Sequence, residues 1–127
     1  MQKWIPLIVA LVLNAGANVL MKVGANNASP LIANASLWTK VANFLNAATI
    51  MAIVLFAANV LAYRKALDNL SVSVAYPIMV STGMIIITIV AATPLLGERI
   101  AIRQIAGMVL IGVGVWLLAG GWSASPE

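Results

Sequence analysis

Cysteine and histidine are both absent from this chain, and only ten of its 127 residues are charged. The first absence excludes disulfides, thiolate metal sites and thiol nucleophiles, and leaves the redox compartment open. The second removes the side chain that most often shuttles protons near neutral pH. Charged residues make up 8% of the chain, against about a quarter in an ordinary soluble domain. Hydrophobic residues make up 63%, and the mean hydropathy is +1.06. Such a composition belongs to a membrane protein.

What charge there is lies at the edges of long uncharged runs: Lys3, Lys22, Lys40, Arg64, Lys65, Asp68, Glu98, Arg99, Arg103 and Glu127. A hydrocarbon core about 30 Å thick takes roughly 20 apolar helical residues to cross. Four runs meet this requirement: Trp4 to Met21, Val41 to Ala62, Val72 to Leu96 and about Gln104 to Ala119. They predict an all-α, four-helix membrane bundle in one transmembrane domain over residues 1–127, with no length left for a soluble catalytic module. Residues 23–39 are uncharged too, but Gly24, Asn26, Asn27, Pro30, Asn34 and Ser36 read as a loop. The first run is long for a cleaved leader and carries Asn14, Asn18 and Lys22, so it reads as a span. Asn27-Ala28-Ser29 and Asn34-Ala35-Ser36 are weak glycosylation signals in an Asn-rich loop.

Four spans put both termini on one side. Lys3, Arg64 and Lys65 then face Lys22, Lys40, Arg99 and Arg103, a tally of 3 against 4. Orientation follows the excess of cations in short loops, so this near balance specifies it weakly. The chain either inserts both ways and pairs antiparallel, takes its orientation from a partner, or is settled by one charge or the long first loop. The positive residues read as anchors to lipid headgroups rather than as a nucleic-acid surface. Trp4, Trp38, Tyr63, Trp116 and Trp122 lie near span ends, where aromatic belts form.

Asn14 and Asn18 stand one turn apart on the first span, with Met21 and Lys22 continuing their stripe. Lipid would leave the two amides unsatisfied, so that face turns toward protein or a hydrated cavity. Asn59, Tyr76, Ser81, Thr82 and Thr88 are the other polar candidates; each alone is explained equally by hydrogen bonding that holds the bundle together. No carboxylate or imidazole sits inside a span. An amide cannot exchange a proton near neutral pH, so proton coupling through these helices is disfavoured. Glu98, beside Arg99, reads as a cap or an exposed ion pair. Gly107 and Gly114 share a face with Leu110 and Ile111, a seam suited to a second helix of another copy or of this chain, and Gly112 widens it. Gly83 permits either a bend or close packing. No nucleophile and base pair, metal cluster or phosphate loop is present, so neither an enzyme, a metal nor a cofactor is expected.

The run Asn14-Ala15-Gly16-Ala17-Asn18-Val19-Leu20-Met21-Lys22 resembles the first helix of the small multidrug resistance exporters. Val74-Ala75-Tyr76-Pro77 is similar to their Ile-Ala-Tyr motif, and Gly107 to Val115 to their fourth-helix dimerisation segment. Leu95-Leu96-Gly97-Glu98-Arg99 resembles a signature of the wider drug/metabolite transporter superfamily. The likeness is good over the first, third and fourth helices and poor over the first loop and the start of the second helix. Two positions depart from it. The exporters' essential glutamate is Asn14 here, and the tryptophan expected after Tyr76 is Met79. Lacking that glutamate, the chain resembles more closely the four-helix subunits that flip aminoarabinose-phosphoundecaprenol, to which Tyr63-Arg64-Lys65-Ala66-Leu67 and Ser73-Val74-Ala75-Tyr76 are also similar.

The resemblance implies a small transporter of the bacterial inner membrane. A substrate site of Asn14, Asn18, Asn59, Tyr76 and Met79 is expected, with Lys22, Arg64 and Lys65 meeting a phosphate or headgroup at the interface. The cargo is a lipid-linked sugar, or else a small drug or metabolite exported without glutamate-based proton coupling. A non-transporting partner subunit is the third reading. The expected partners are membrane lipids and a second subunit, in a homodimer, antiparallel or not, or a heterodimer with a related small chain.

Overall fold

The computed structural model describes residues 2–30 and 33–122, apart from the side chains of Lys3, Gly121 and Trp122. The expectations for Lys3, Trp122 and Glu127 therefore lie outside the described residues. Five helices follow a short turn at Gln2–Trp4: α1 (Ile5–Asn26), α2 (Leu37–Phe44), α3 (Ala47–Ala66), α4 (Val72–Ala91) and α5 (Ile102–Trp122). Pro6 opens α1 in the first turn, where a missing N–H leaves no bond unmade.

The boundaries differ from those read off hydropathy. α1 runs past Met21 to Asn26, because neither Gly24 nor Asn26 stops a helix whose Asn27 N–H still bonds to the Val23 carbonyl at 3.0 Å. The expected loop thus loses its first residues to α1 and its last ones to α2. A span from Val41 is not formed. Leu45 leaves the helical region (φ −84°, ψ 50°), and Asn46 starts a new helix by accepting from the Thr49 N–H at 3.0 Å. An amide that caps a helix is invisible to an apolar-run count. α3 continues past Ala62 to Ala66 and takes Arg64 and Lys65 into its last turn, where cations complement the helix dipole. α4 stops at Ala91, not Leu96. Gly97 at φ +64° donates to the Thr93 carbonyl at 2.8 Å, and Glu98 donates to Ala91 at 2.9 Å, folding the chain back toward α5. Only glycine takes that φ without strain.

α1 is the central helix, packed along α3 and against α4, while α5 rests chiefly on α4. The core is built from small side chains. Ala10, Ala17, Ala52, Ala66 and Ala75 are wholly buried, and Leu7, Leu70 and Met79 fill the end nearest the N-terminus. Small residues let membrane helices approach closely, which replaces the hydrophobic drive that lipid removes. The closest approach is at Gly24, where a side chain would overlap the Thr49 hydroxyl.

Ile5–Asn26, Ala47–Ala66, Val72–Ala91 and Ile102–Gly120 are each long and apolar enough to cross a membrane. Their outer faces carry Ile8, Val12, Ile53, Leu61, Val80, Ile89 and Leu117, all exposed. Water would penalise such a surface, whereas lipid accepts it. Among the described residues there is no strand.

Candidate functional site

The antiparallel contact of α1 with α3 fixes a register. Gly24 lies against Thr49, and a Cβ at Gly16 would stand 3.5 Å from Leu55 Cδ1. Continued along both helices, that register puts Asn59 at the level of Leu13 and Asn14. From α4, Gly83 arrives at the same level: a Cβ there would stand 3.1 Å from Asn14 Nδ2. Asn14, Asn59 and Gly83 therefore share one layer near the middle of the three-helix unit α1, α3 and α4.

The polar groups of this layer are unequally satisfied. Asn18 Nδ2 donates to the Asn14 carbonyl at 2.8 Å and lies 3.4 Å from Asn14 Oδ1, so the two stacked amides form one unit. Asn59 is 7% exposed, and its Oδ1 is buried without a hydrogen-bond partner among the described residues. One turn further, the Tyr63 hydroxyl is in the same condition. A buried polar atom left unpaired costs about 1–3 kcal/mol, and such atoms mark places where a chain keeps hydrogen-bonding capacity in reserve. Ser81 and Thr88 instead bond back to their own helix, at the Pro77 carbonyl (2.7 Å) and the Met84 carbonyl (2.8 Å).

Of the other site residues expected from sequence, Tyr76 and Met79 share a stripe of α4 with Gly83, at spacings that keep them on one face. Met79 is buried in the core with Leu7, Ala10 and Ala75, while Tyr76 is 54% exposed at the mouth of an α4–α5 groove of about 290 Å³ that Ser81, Met84 and Ile111 also line. The structure thus buries Asn59, leaves Asn14 and Asn18 partly buried on α1, and sets Tyr76 about two turns from Gly83. The Tyr63 ring, near the end of its span, is partly buried against the core. The i, i+4 spacing from Asn59 was the signal for it.

Two of the three interfacial cations are paired. Lys22 Nζ lies 3.0 Å from Glu98 Oε1, tying the end of α1 to the α4–α5 loop, and Arg64 pairs with Asp68. Glu98 is the expected exposed ion pair, but its partner comes from another helix. Lys65 is exposed. On α5, nothing lies within 4 Å of a Cβ built on Gly107, Gly112 or Gly114, Leu110 is 72% exposed, and Ile111 borders the α4–α5 grooves. Among the described residues nothing packs onto the three glycines of this seam.

On the side of α1 away from its amides, an apolar groove of about 440 Å³ runs between Val12, Gly16, Val19 and Ile86, Val90 of α4. The arrangement is thus an uncharged hydrogen-bonding layer in a helical unit whose surface carries an open apolar groove.

Four helices long and apolar enough to cross a membrane define a small multi-pass membrane protein. Residues 28–111 match the family described as Small Multidrug Resistance protein, and the chain belongs to that family. Its members are transporters rather than enzymes, and act as membrane-embedded dimers. The match runs through the first loop and leaves α1 outside, whereas the motifs placed the likeness on the first, third and fourth helices and not on the first loop. An uncharacterized protein of Sinorhizobium fredii, y4nH, is 35% identical over 104 residues, covering 82% of this chain and 83% of its own length. No solved structure matches.

Proposed function

We propose that this chain moves a lipid-linked sugar across the bacterial inner membrane, as a dimer whose copies join through Gly107, Leu110, Ile111 and Gly114. The observation that carries this reading is the amide layer. Asn14, Asn18 and Asn59 present donors and acceptors with no fixed charge, which suits the hydroxyls of a sugar better than a hydrophobic cation. Tyr76 borders the route, and Met79 sets the packing of its wall. The apolar groove along Val12, Gly16 and Val19 matches a prenyl tail that stays in lipid while the headgroup crosses. Lys22, Arg64 and Lys65 meet the phosphate at the two surfaces. The near-even tally of cations supports insertion in both orientations and an antiparallel homodimer.

Flux of a fluorescent polyprenyl-phosphate sugar in proteoliposomes tests the site. Asn14→Ala with Asn18→Ala abolishes flipping and leaves dimer assembly intact; unchanged flux overturns the assignment. The family match also supports a second reading, export of a small soluble metabolite or drug. That reading predicts substrate release on overexpression that does not depend on lipid-carrier synthesis.

A further inference from the structure

The short helix α2 is not used by this reading. Its sequence, Leu37 to Phe44, is divided lengthwise: Leu37, Trp38, Val41 and Phe44, with Leu45 just beyond, cover one face, and Thr39, Lys40, Ala42 and Asn43 the other. All five apolar side chains are exposed, Leu37 and Trp38 about four-fifths so (79% and 83%). On the opposite face Asn43 is tied to the chain itself. Asn43 Nδ2 donates to the Ser29 carbonyl at 2.8 Å, and the Ser29 N–H donates back to Asn43 Oδ1 at 3.0 Å.

The level of α2 is also fixed. Asn46 Nδ2 donates to the Gly24 carbonyl at 2.7 Å, and Phe44 faces Met21, Gly24 and Thr49 across a crevice of about 110 Å³. The C-terminal end of α2 is thereby held where α1 leaves the membrane and α3 enters it, close to Lys22. The break at Leu45 and Asn46 turns α2 off the line of α3.

We infer that α2 lies in the headgroup boundary of the bilayer, with Leu37, Trp38, Val41, Phe44 and Leu45 in the upper acyl region and Lys40 toward lipid phosphate. The apolar face leads through Phe44 and Leu45 directly into α3, whose Ile50, Met51, Ile53 and Val54 are also exposed. A Trp and a Lys beside an apolar stripe are the side chains that settle at that depth. Standing free in water, the stripe would remain fully hydrated at a helix already anchored at membrane level.

The test uses full-length protein in phosphatidylcholine and phosphatidylglycerol vesicles, with Trp4, Trp116 and Trp122 replaced by Phe so that Trp38 reports alone. Lipids brominated near the headgroup end of the acyl chain should quench Trp38 at least twofold more than lipids brominated near the terminal methyl, with weak quenching by aqueous iodide. Strong iodide quenching without lipid quenching overturns the inference, as does quenching by neither, which indicates a protein partner on this face. Should the triple variant not insert, Leu37→Cys in this cysteine-free chain carries a spin label whose relaxation by oxygen over a nickel chelate makes the same measurement.

Discussion

Asn14 on α1 stands directly against Gly83 on α4, so closely that a Cβ on Gly83 would lie 3.1 Å from the Asn14 amide nitrogen. The absent side chain is what admits an amide at this depth. Gly83→Ala presses on the amide, and overpacking of this kind costs about 1–3 kcal/mol. We expect flux to fall several-fold while the protein still inserts and dimerises. Asn14→Ala added to Gly83→Ala relieves the contact and restores thermal stability in detergent without restoring flux. Equal losses from the two changes, simply adding, would contradict direct packing.

The spans contain no carboxylate and no imidazole, and Asp68 and Glu98 lie in loops. The side chains of the interior layer, Asn14, Asn18 and Asn59, are amides that neither take up nor release a proton between about pH 6 and 8. Flux in proteoliposomes is expected to stay flat over that range with no pH gradient imposed. A steep pH profile would show that a proton is exchanged at the site.

Lys22 and Glu98 are each about half exposed (48% and 45%) and join α1 to the loop before α5. Exposed pairs are worth about 0.2–1 kcal/mol, so Glu98→Gln should lower the melting temperature in detergent only slightly. The exchange Lys22→Glu with Glu98→Lys should recover most of what Lys22→Glu alone loses. Lack of recovery would mean that Lys22 is needed for something other than this pair.

Asn46 carries two roles at once, accepting from Thr49 and donating to the Gly24 carbonyl. Loss of an N-cap alone costs about 0.5–2 kcal/mol. Asn46→Ala should lie at or above the top of that range by thermal melts, and Asn46→Asp, which keeps the cap but loses the donor, should fall between. Indistinguishable effects of the two would contradict the bond to Gly24.

Charge spacing alone made the four spans legible, because a charge cannot be hidden in hydrocarbon and therefore marks each helix end. The ends themselves were less legible. Asn46 and Gly97 set their boundaries through a side-chain cap and a positive φ, neither of which changes hydropathy. Asn14 and Asn18 could be placed on one inward face from their spacing, since one helix suffices for that inference. Asn59 opposite Asn14 could not, because it needs the register between α1 and α3, and that register rests on contacts such as Gly24 with Thr49. The packing of Tyr63 on the core was not legible for the same reason: nearness to a span end says nothing about which way the ring turns.

Access of water to the amide layer can be probed directly, since the chain has no cysteine of its own. Asn59→Cys, reconstituted in liposomes, is exposed to a charged, membrane-impermeant thiosulfonate with and without a polyprenyl-phosphate sugar. Modification from water, slowed at least several-fold by the substrate, is the expected result. A thiol that stays unmodified in every condition, in protein that is dimeric and moves substrate, would show a dry seam at this level and contradict a shared polar pathway through Asn14 and Asn59.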